Sequence, residues 1–166
     1  MNGLKQSMVV VLAVVLAGCG WQLRGSAGGG FEDVAIALTG SAGNRLESQV
    51  ARRLSDLGAD VVASADDAEV LLDIDAADTQ RREVATDADD FASEYELTVR
   101  LTFALLPGEL AAPDWQATPA QSVQARSAYS FDPNALQAAQ AEEEAIERDL
   151  RRDAIALMLA RIGRVL

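Results

Sequence analysis

"YELTVRLTFAL", residues 95–105, is the stretch on which the reading of the whole chain turns. Tyr95, Leu97, Val99, Leu101, Phe103 and Leu105 alternate with Glu96, Thr98, Arg100 and Thr102. A period of two places these sets on opposite faces of a strand, whereas a helix needs apolar residues three and four apart. One face is therefore packed, and the other meets water or a polar partner. A sheet with one apolar side demands something amphipathic to cover it.

Working outward, "FEDVAIAL" (31–38) alternates Val34, Ile36 and Leu38 as a shorter strand. "TGSAGN" (39–44) breaks it, and Asn44 with Glu47 three residues on reads as a capping box. Leu46, Val50, Leu54 and Leu57 follow at helical spacing, with Arg52 and Arg53 toward water and Gly58 as the stop. "AEVLLDIDA" (68–76) is a second strand with Val70, Leu72 and Ile74 facing one way. The polar "DTQRREVATDADDFAS" (78–93) reads as a long hairpin connection or as extended strand ends.

After the 95–105 strand, "LPGELAAPDWQATPA" (106–120) turns the chain, and Val123, Ala125, Tyr129 and Phe131 mark a fourth strand. Asp132-Pro133 predicts the start of a helix that runs nearly to Leu166. Its expected buried stripe is Ile146, Leu150, Ala154 and Leu157. From Ala154 to Ala160 every residue is apolar, so that end is expected to be covered on most sides. Glu144/Arg148 and Glu147/Arg151 are i,i+4 pairs in the favourable orientation. The expected class is α+β, in the order β-α-β-β-β-α, with two helices packed on one face of a four-stranded mixed sheet. The first two strands and their helix form a right-handed parallel unit.

The N-terminus carries a different kind of signal. Lys5 precedes an unbroken apolar run from Met8 to Leu16, roughly half of the ~20 residues needed to cross a bilayer. Leu16-Ala17-Gly18 then leads into Cys19, the single cysteine of the chain. This ending resembles the lipobox of bacterial lipoproteins, where the thiol is acylated, with fatty acids such as palmitate, before cleavage. Residues 1–18 are thus expected to be a lipoprotein signal peptide and Cys19 the lipid attachment site. Residues 19–30, ending in the flexible "SAGGG", would be the lipidated tether, and residues 31–166 one folded domain. Gly20, in place of Asp, predicts passage to the outer membrane, with the domain on the periplasmic side.

The chain has a net charge of −12, with 26 Asp plus Glu against 14 Lys plus Arg, of which Lys5 is the one lysine. Nucleic-acid binding rests on neutralising phosphates with cations, and this balance opposes it. There is no histidine and, once Cys19 is acylated, no free thiol. That removes the commonest general base, the Ser-His and Cys-His pairs and the zinc sites built on His or Cys. No Gly-rich phosphate loop is present.

Asp73 to Asp78 is the best cation candidate. A calcium loop needs Gly at its sixth position and Glu at its twelfth, where this chain has Asp78 and Val84. Strand alternation accounts for Asp73 and Asp75, and "DADD" (87–90) reads as a solvated loop. Arg81-Arg82 and Arg151-Arg152 could meet phosphate but more commonly balance surface charge. No catalytic residue, metal site or cofactor is expected, and the chain is not expected to be an enzyme.

Cys19-Gly20-Trp21-Gln22-Leu23-Arg24-Gly25, directly after the lipobox, resembles the start of the LPS-assembly lipoproteins of the LptE family. The "YELTVRLTFALL" strand, the Pro107-Gly108 turn, "YSFD" (129–132) and a long C-terminal helix follow in the same order. The resemblance implies two helices on a four-stranded sheet and a non-enzymatic role. That role is to plug the lumen of the LptD-type outer-membrane β-barrel, support its assembly and take part in lipopolysaccharide delivery to the outer leaflet. A barrel lumen is polar, which suits an uncovered polar sheet face. It also implies a lipopolysaccharide-binding basic position in the second helix, matched here by Arg148. Glu144 offers Arg148 an equally good structural partner, and a second basic position, after the Pro-Gly turn, is replaced by Glu109. The alternative reading is a generic accessory lipoprotein serving another envelope complex. A carboxylate-based periplasmic hydrolase is the third.

Overall fold

In the computed structural model, residues 30–86, 92–132 and 134–166 are described; Cys19, the segment before it and most of the tether lie outside them. The elements in chain order are β1 (Ala35–Gly40), α1 (Asn44–Asp56), β2 (Asp60–Val62), a 3-10 turn (Ala65–Asp67), β3 (Val70–Ile74), β4 (Asp78–Thr86), β5 (Ala92–Pro107), β6 (Gln121–Ser130) and α2 (Leu136–Ile162). The 95–105 alternation is the spine: β5 is the longest strand, with 16 residues, and pairs with β3, β4 and β6. Leu97, Val99, Leu101, Phe103 and Leu105 are all buried, as their period requires.

β1 is parallel to β3, with α1 between them, which is the expected crossover unit. The sheet has six strands where four were expected. One addition is β2, three residues that pair parallel to β1. The other is β4, antiparallel to β5 from Asp78↔Arg100 to Thr86↔Ala92. β3 and β4 lie end to end along one side of β5. Ile74 stands opposite Phe103 and Asp78 opposite Arg100, so four steps on one strand meet three on the other. The single slip bends one long strand into two. The polar stretch 78–86 is therefore the strand-extension alternative of the sequence reading, not a loop.

Both helices lie on the same face of the sheet. Leu46, Val50 and Leu54 from α1 and Leu150, Ala154, Ile155, Met158, Leu159 and Ile162 from α2 share one core with the inward residues of the strands. Burying a Leu, Ile or Met side chain contributes about 1.5–3 kcal/mol. This shared interior fixes the helices against the sheet.

The helix ends depart from expectation in instructive ways. Asn44 is the first helical residue of α1 and not its cap; Gly43 (φ 77°) precedes it and no side chain caps the end. The capping box is absent: the Glu47 amide donates to the Gly43 carbonyl. The C-terminus behaves as expected. Gly58 adopts φ 92°, its amide donates to Ser55, and the Ala59 amide reaches back to Leu54, the paired bonds of a glycine-terminated helix. α2 begins at Leu136, three residues after the expected proline, which lies outside the described residues. Asp132 instead accepts from the Asn134 amide at 2.8 Å, closing a turn ahead of the helix.

The stripe of α2 follows expectation at Leu150 and Ala154, which are buried, and at Ile146, which packs against the core, but departs from it at its last member. Leu157 is 49% exposed, while Met158 beside it is fully buried. The all-apolar run from Ala154 to Ala160 is covered on one side only, since Ala156, Leu157 and Ala160 face outward.

Two close approaches join distant parts. Gly30 sits against Gly163, just past α2; a Cβ there would lie 2.7 Å from the Gly163 carbonyl oxygen. Gly108 packs on β3's entry, with its amide donating to Glu69.

Candidate functional site

Two features stand apart from the core. The first is the sheet face away from the helices. Residues opposite one another in a ladder share a face. Gln80, Thr98 and Arg126 form one polar row, and Asp78, Arg100 and Gln124 form the next. Arg82 pairs with Glu96 across the same face at 3.0 Å. No described helix lies over it.

The inner side of β4 explains why its sequence lacks alternation. Thr79, Arg81 and Glu83 point to the helix side with Val99, Leu97 and Tyr95, and Thr79 and Arg81 there meet the acidic flank of α2. The Arg81 guanidinium donates to Glu143 Oε2 at 3.0 Å, and Tyr129 Oη donates to the same oxygen at 2.7 Å. Thr79 Oγ1 donates to Glu147. The guanidinium carbon of Arg81 lies 4.7 Å from the Tyr95 ring centroid, and Phe131 meets that ring edge-on. Burial and the bond to the Glu143 carboxylate push the Tyr129 phenol up to about 12. The Glu143 hydrogen bond raises Arg81 further above its ordinary value. These contacts hold the N-terminal half of α2 over β4, β5 and β6.

The second feature is a groove of about 1030 Å³ between the two helices. α1 contributes Arg45, Arg52 and Arg53, and α2 contributes Arg148, Arg151 and Arg152. The spacings i, i+7, i+8 on α1 and i, i+3, i+4 on α2 bring each set to one helix face. Asp56 and Asp149 are the acids in the lining, so six positive side chains face two negative ones. Arg151 pairs with Glu147, and Arg152 with Asp149. The expected Glu144–Arg148 pair is not formed; Arg45, Arg52, Arg53 and Arg148 enter no ion pair among the described residues. Arg151 Nε is buried without a hydrogen-bond partner.

The sequence reading placed Arg148 at a ligand position but left Arg52 and Arg53 to solvent, did not single out Arg45, and gave Arg151 and Arg152 to charge balance. Helical phase was the available signal. Cys19 lies outside the described residues. Asp73 accepts a hydrogen bond from Thr39 at 3.2 Å, a role within the strand pair β1–β3. Glu109 is exposed. Among the described residues no cluster of His, Cys, Asp or Glu could hold a metal, and no helix is long and apolar enough to cross a membrane.

Residues 31–162 match the family model LptE, lipopolysaccharide-assembly. The chain belongs to the LptE family. The match runs from Phe31 to Ile162, the end of α2, and so spans every strand of the sheet and both helices. The LptE fold here is similar to the solution NMR structure of lipoprotein B from Nitrosomonas europaea, with TM-score 0.67 and 26% identity over 87% of this chain and 90% of that one. It is similar to the crystal structure of the rare lipoprotein B from Shewanella oneidensis, with TM-score 0.65 and 22% identity over 79% and 95%. The minor lipoprotein from Acinetobacter baumannii shares the fold at TM-score 0.53 and 18% identity, over 81% and 90%. No curated protein matches the chain.

Proposed function

We propose that this LptE-family protein is anchored to the outer membrane through acylated Cys19, occupies the lumen of an LptD-type β-barrel, and takes part in lipopolysaccharide delivery. The domain boundaries follow: signal peptide 1–18, lipidated tether 19–30 and plug 31–166. The observation that carries the reading is the polar sheet face built by the rows of Gln80, Thr98 and Arg126 and of Asp78, Arg100 and Gln124. Such a face, left open by helices that stack on the other side, suits the polar wall of a barrel lumen. The role is structural and carrier-like, without turnover.

The test is capture of the full-length, membrane-extracted protein with identification of what accompanies it. A large β-barrel is expected, and depletion of the protein should reduce assembled barrel and surface lipopolysaccharide together. Normal surface lipopolysaccharide on depletion, with no barrel recovered, would overturn the reading in favour of an accessory lipoprotein of another envelope complex.

A further inference from the structure

Half of the twelve arginines in the described residues line one groove, in a chain whose overall charge is −12. Acidic side chains are plentiful enough to pair each of them, yet four of the six have no ion-pair partner among the described residues. Concentrating like charge on two facing helices is unfavourable unless an anion relieves it. A fifth member, Arg151, keeps a buried Nε without a hydrogen-bond partner.

The side chains also specify the anion. All six are planar guanidinium forks, the geometry that bonds two oxygens of one phosphate at once. The groove is too large for a lone ion: about 1030 Å³ lies at the upper end for small-molecule sites. Ala51 and Ile155 give its lining an apolar part between the charged banks. Charged banks with an apolar component fit a phosphorylated headgroup at the end of an apolar molecule.

We propose that the α1–α2 groove binds the phosphorylated headgroup of an anionic lipid, with Arg45, Arg52 and Arg53 of α1 forming one bank and the α2 arginines the other. Phosphate oxygens that bridge the banks link two helices whose facing charges otherwise repel. This deepens the lipopolysaccharide reading and rests on it, while moving half of the contact surface to α1, where the sequence reading saw only solvated arginines.

The experiment uses the full-length protein in neutral detergent at about 0.15 M salt, where solvated charges more than about 8 Å apart are screened. Binding is measured for diphosphorylated lipid A, its dephosphorylated counterpart, phosphatidylglycerol and inorganic pyrophosphate. Diphosphorylated lipid A should bind, and removal of its phosphates should weaken binding at least about tenfold, the equivalent of one charge-assisted contact. The double variant Arg52→Glu/Arg53→Glu, at exposed positions, should lose at least as much and keep the wild-type unfolding midpoint. Equal binding of phosphatidylglycerol supports the site and assigns it to phosphodiester lipids as well.

Pyrophosphate binding as tight as the lipid would overturn the headgroup assignment. Unchanged lipid A binding in the double variant, or equal binding of the dephosphorylated lipid, would overturn the groove itself. Capture of the barrel by the double variant separates the two proposals, since loss of lipid binding with the barrel retained leaves the plug reading intact.

Discussion

Tyr129 of β6 donates a 2.7 Å hydrogen bond to Glu143 of α2, and that same carboxylate oxygen receives Arg81 of β4. One acceptor thereby ties the C-terminal helix to two strands on either side of β5. Tyr129→Phe removes the phenol but leaves the Arg81–Glu143 pair. The expected cost is about 1.5–3 kcal/mol, the range for a hydrogen bond to a charged group, read as a lower urea midpoint.

Burial of that phenol, together with the same bond, sets an alkaline dependence. The Tyr129 phenol is pushed up to about 12 in the folded protein, from an ordinary 10.0. Its contribution to stability is complete below pH 10 and is lost as pH rises through about 12, because the unfolded chain ionises first. Spectrophotometric titration, as wild type minus Tyr129→Phe, should show a late phenolate step near pH 12. A step at 10 in the folded protein would contradict the buried, carboxylate-bonded geometry.

The two faces of β5 should respond unequally to truncation. Leu101 is fully buried, and Leu101→Ala should cost about 2–5 kcal/mol. Thr98 lies in the outer polar row, and Thr98→Ala should change stability by no more than about 0.5 kcal/mol. Chemical denaturation of both variants checks the register directly.

Adjacent residues of α2 offer a sharper contrast. Met158→Ala should cost about 2–5 kcal/mol, as for other large core side chains, because Met158 is fully buried. Leu157→Ala, at a half-exposed position, should fall well below that. Comparable losses at both would mean that Leu157 is packed in the core as the sequence reading expected, against its exposure in the structure.

Cys19→Ala should leave the precursor without lipid. Mass spectrometry of the membrane-extracted wild type is expected to show an acylated N-terminal cysteine. An intact residue 1–18 segment on the mature protein would defeat the anchor.

The strands with a pure apolar face were readable at once. Val70, Leu72 and Ile74, and the six alternating positions from Tyr95 to Leu105, declare their side by period alone. β4 hid because both of its faces are polar: one joins the outer rows, and the other meets Glu143 and Glu147. β2 hid because three residues carry no period. On α2 the run from Ala154 to Ala160 is apolar all round, so the sequence offered no polar side from which to fix the phase. The groove was illegible for a different reason. Its arginines occupy two helices far apart in the chain, and only the sheet beneath them brings the banks together. Arg148 was singled out by resemblance alone, and its five neighbours follow from the packing.

The meeting of Gly30 with Gly163 gives the molecule a polarity. The chain enters the domain at the foot of α2, and 27 helical residues rising about 1.5 Å each put the other end of that helix about 40 Å away. Gly30 lies eleven residue steps beyond Cys19, a leash of at most about 36–40 Å when fully drawn out. Leash and helix are therefore of matching length. If Cys19 is the acylated anchor proposed above, the foot of α2 stays within that leash of the bilayer, and the end of α2 beside β4 lies up to about 40 Å farther along the helix.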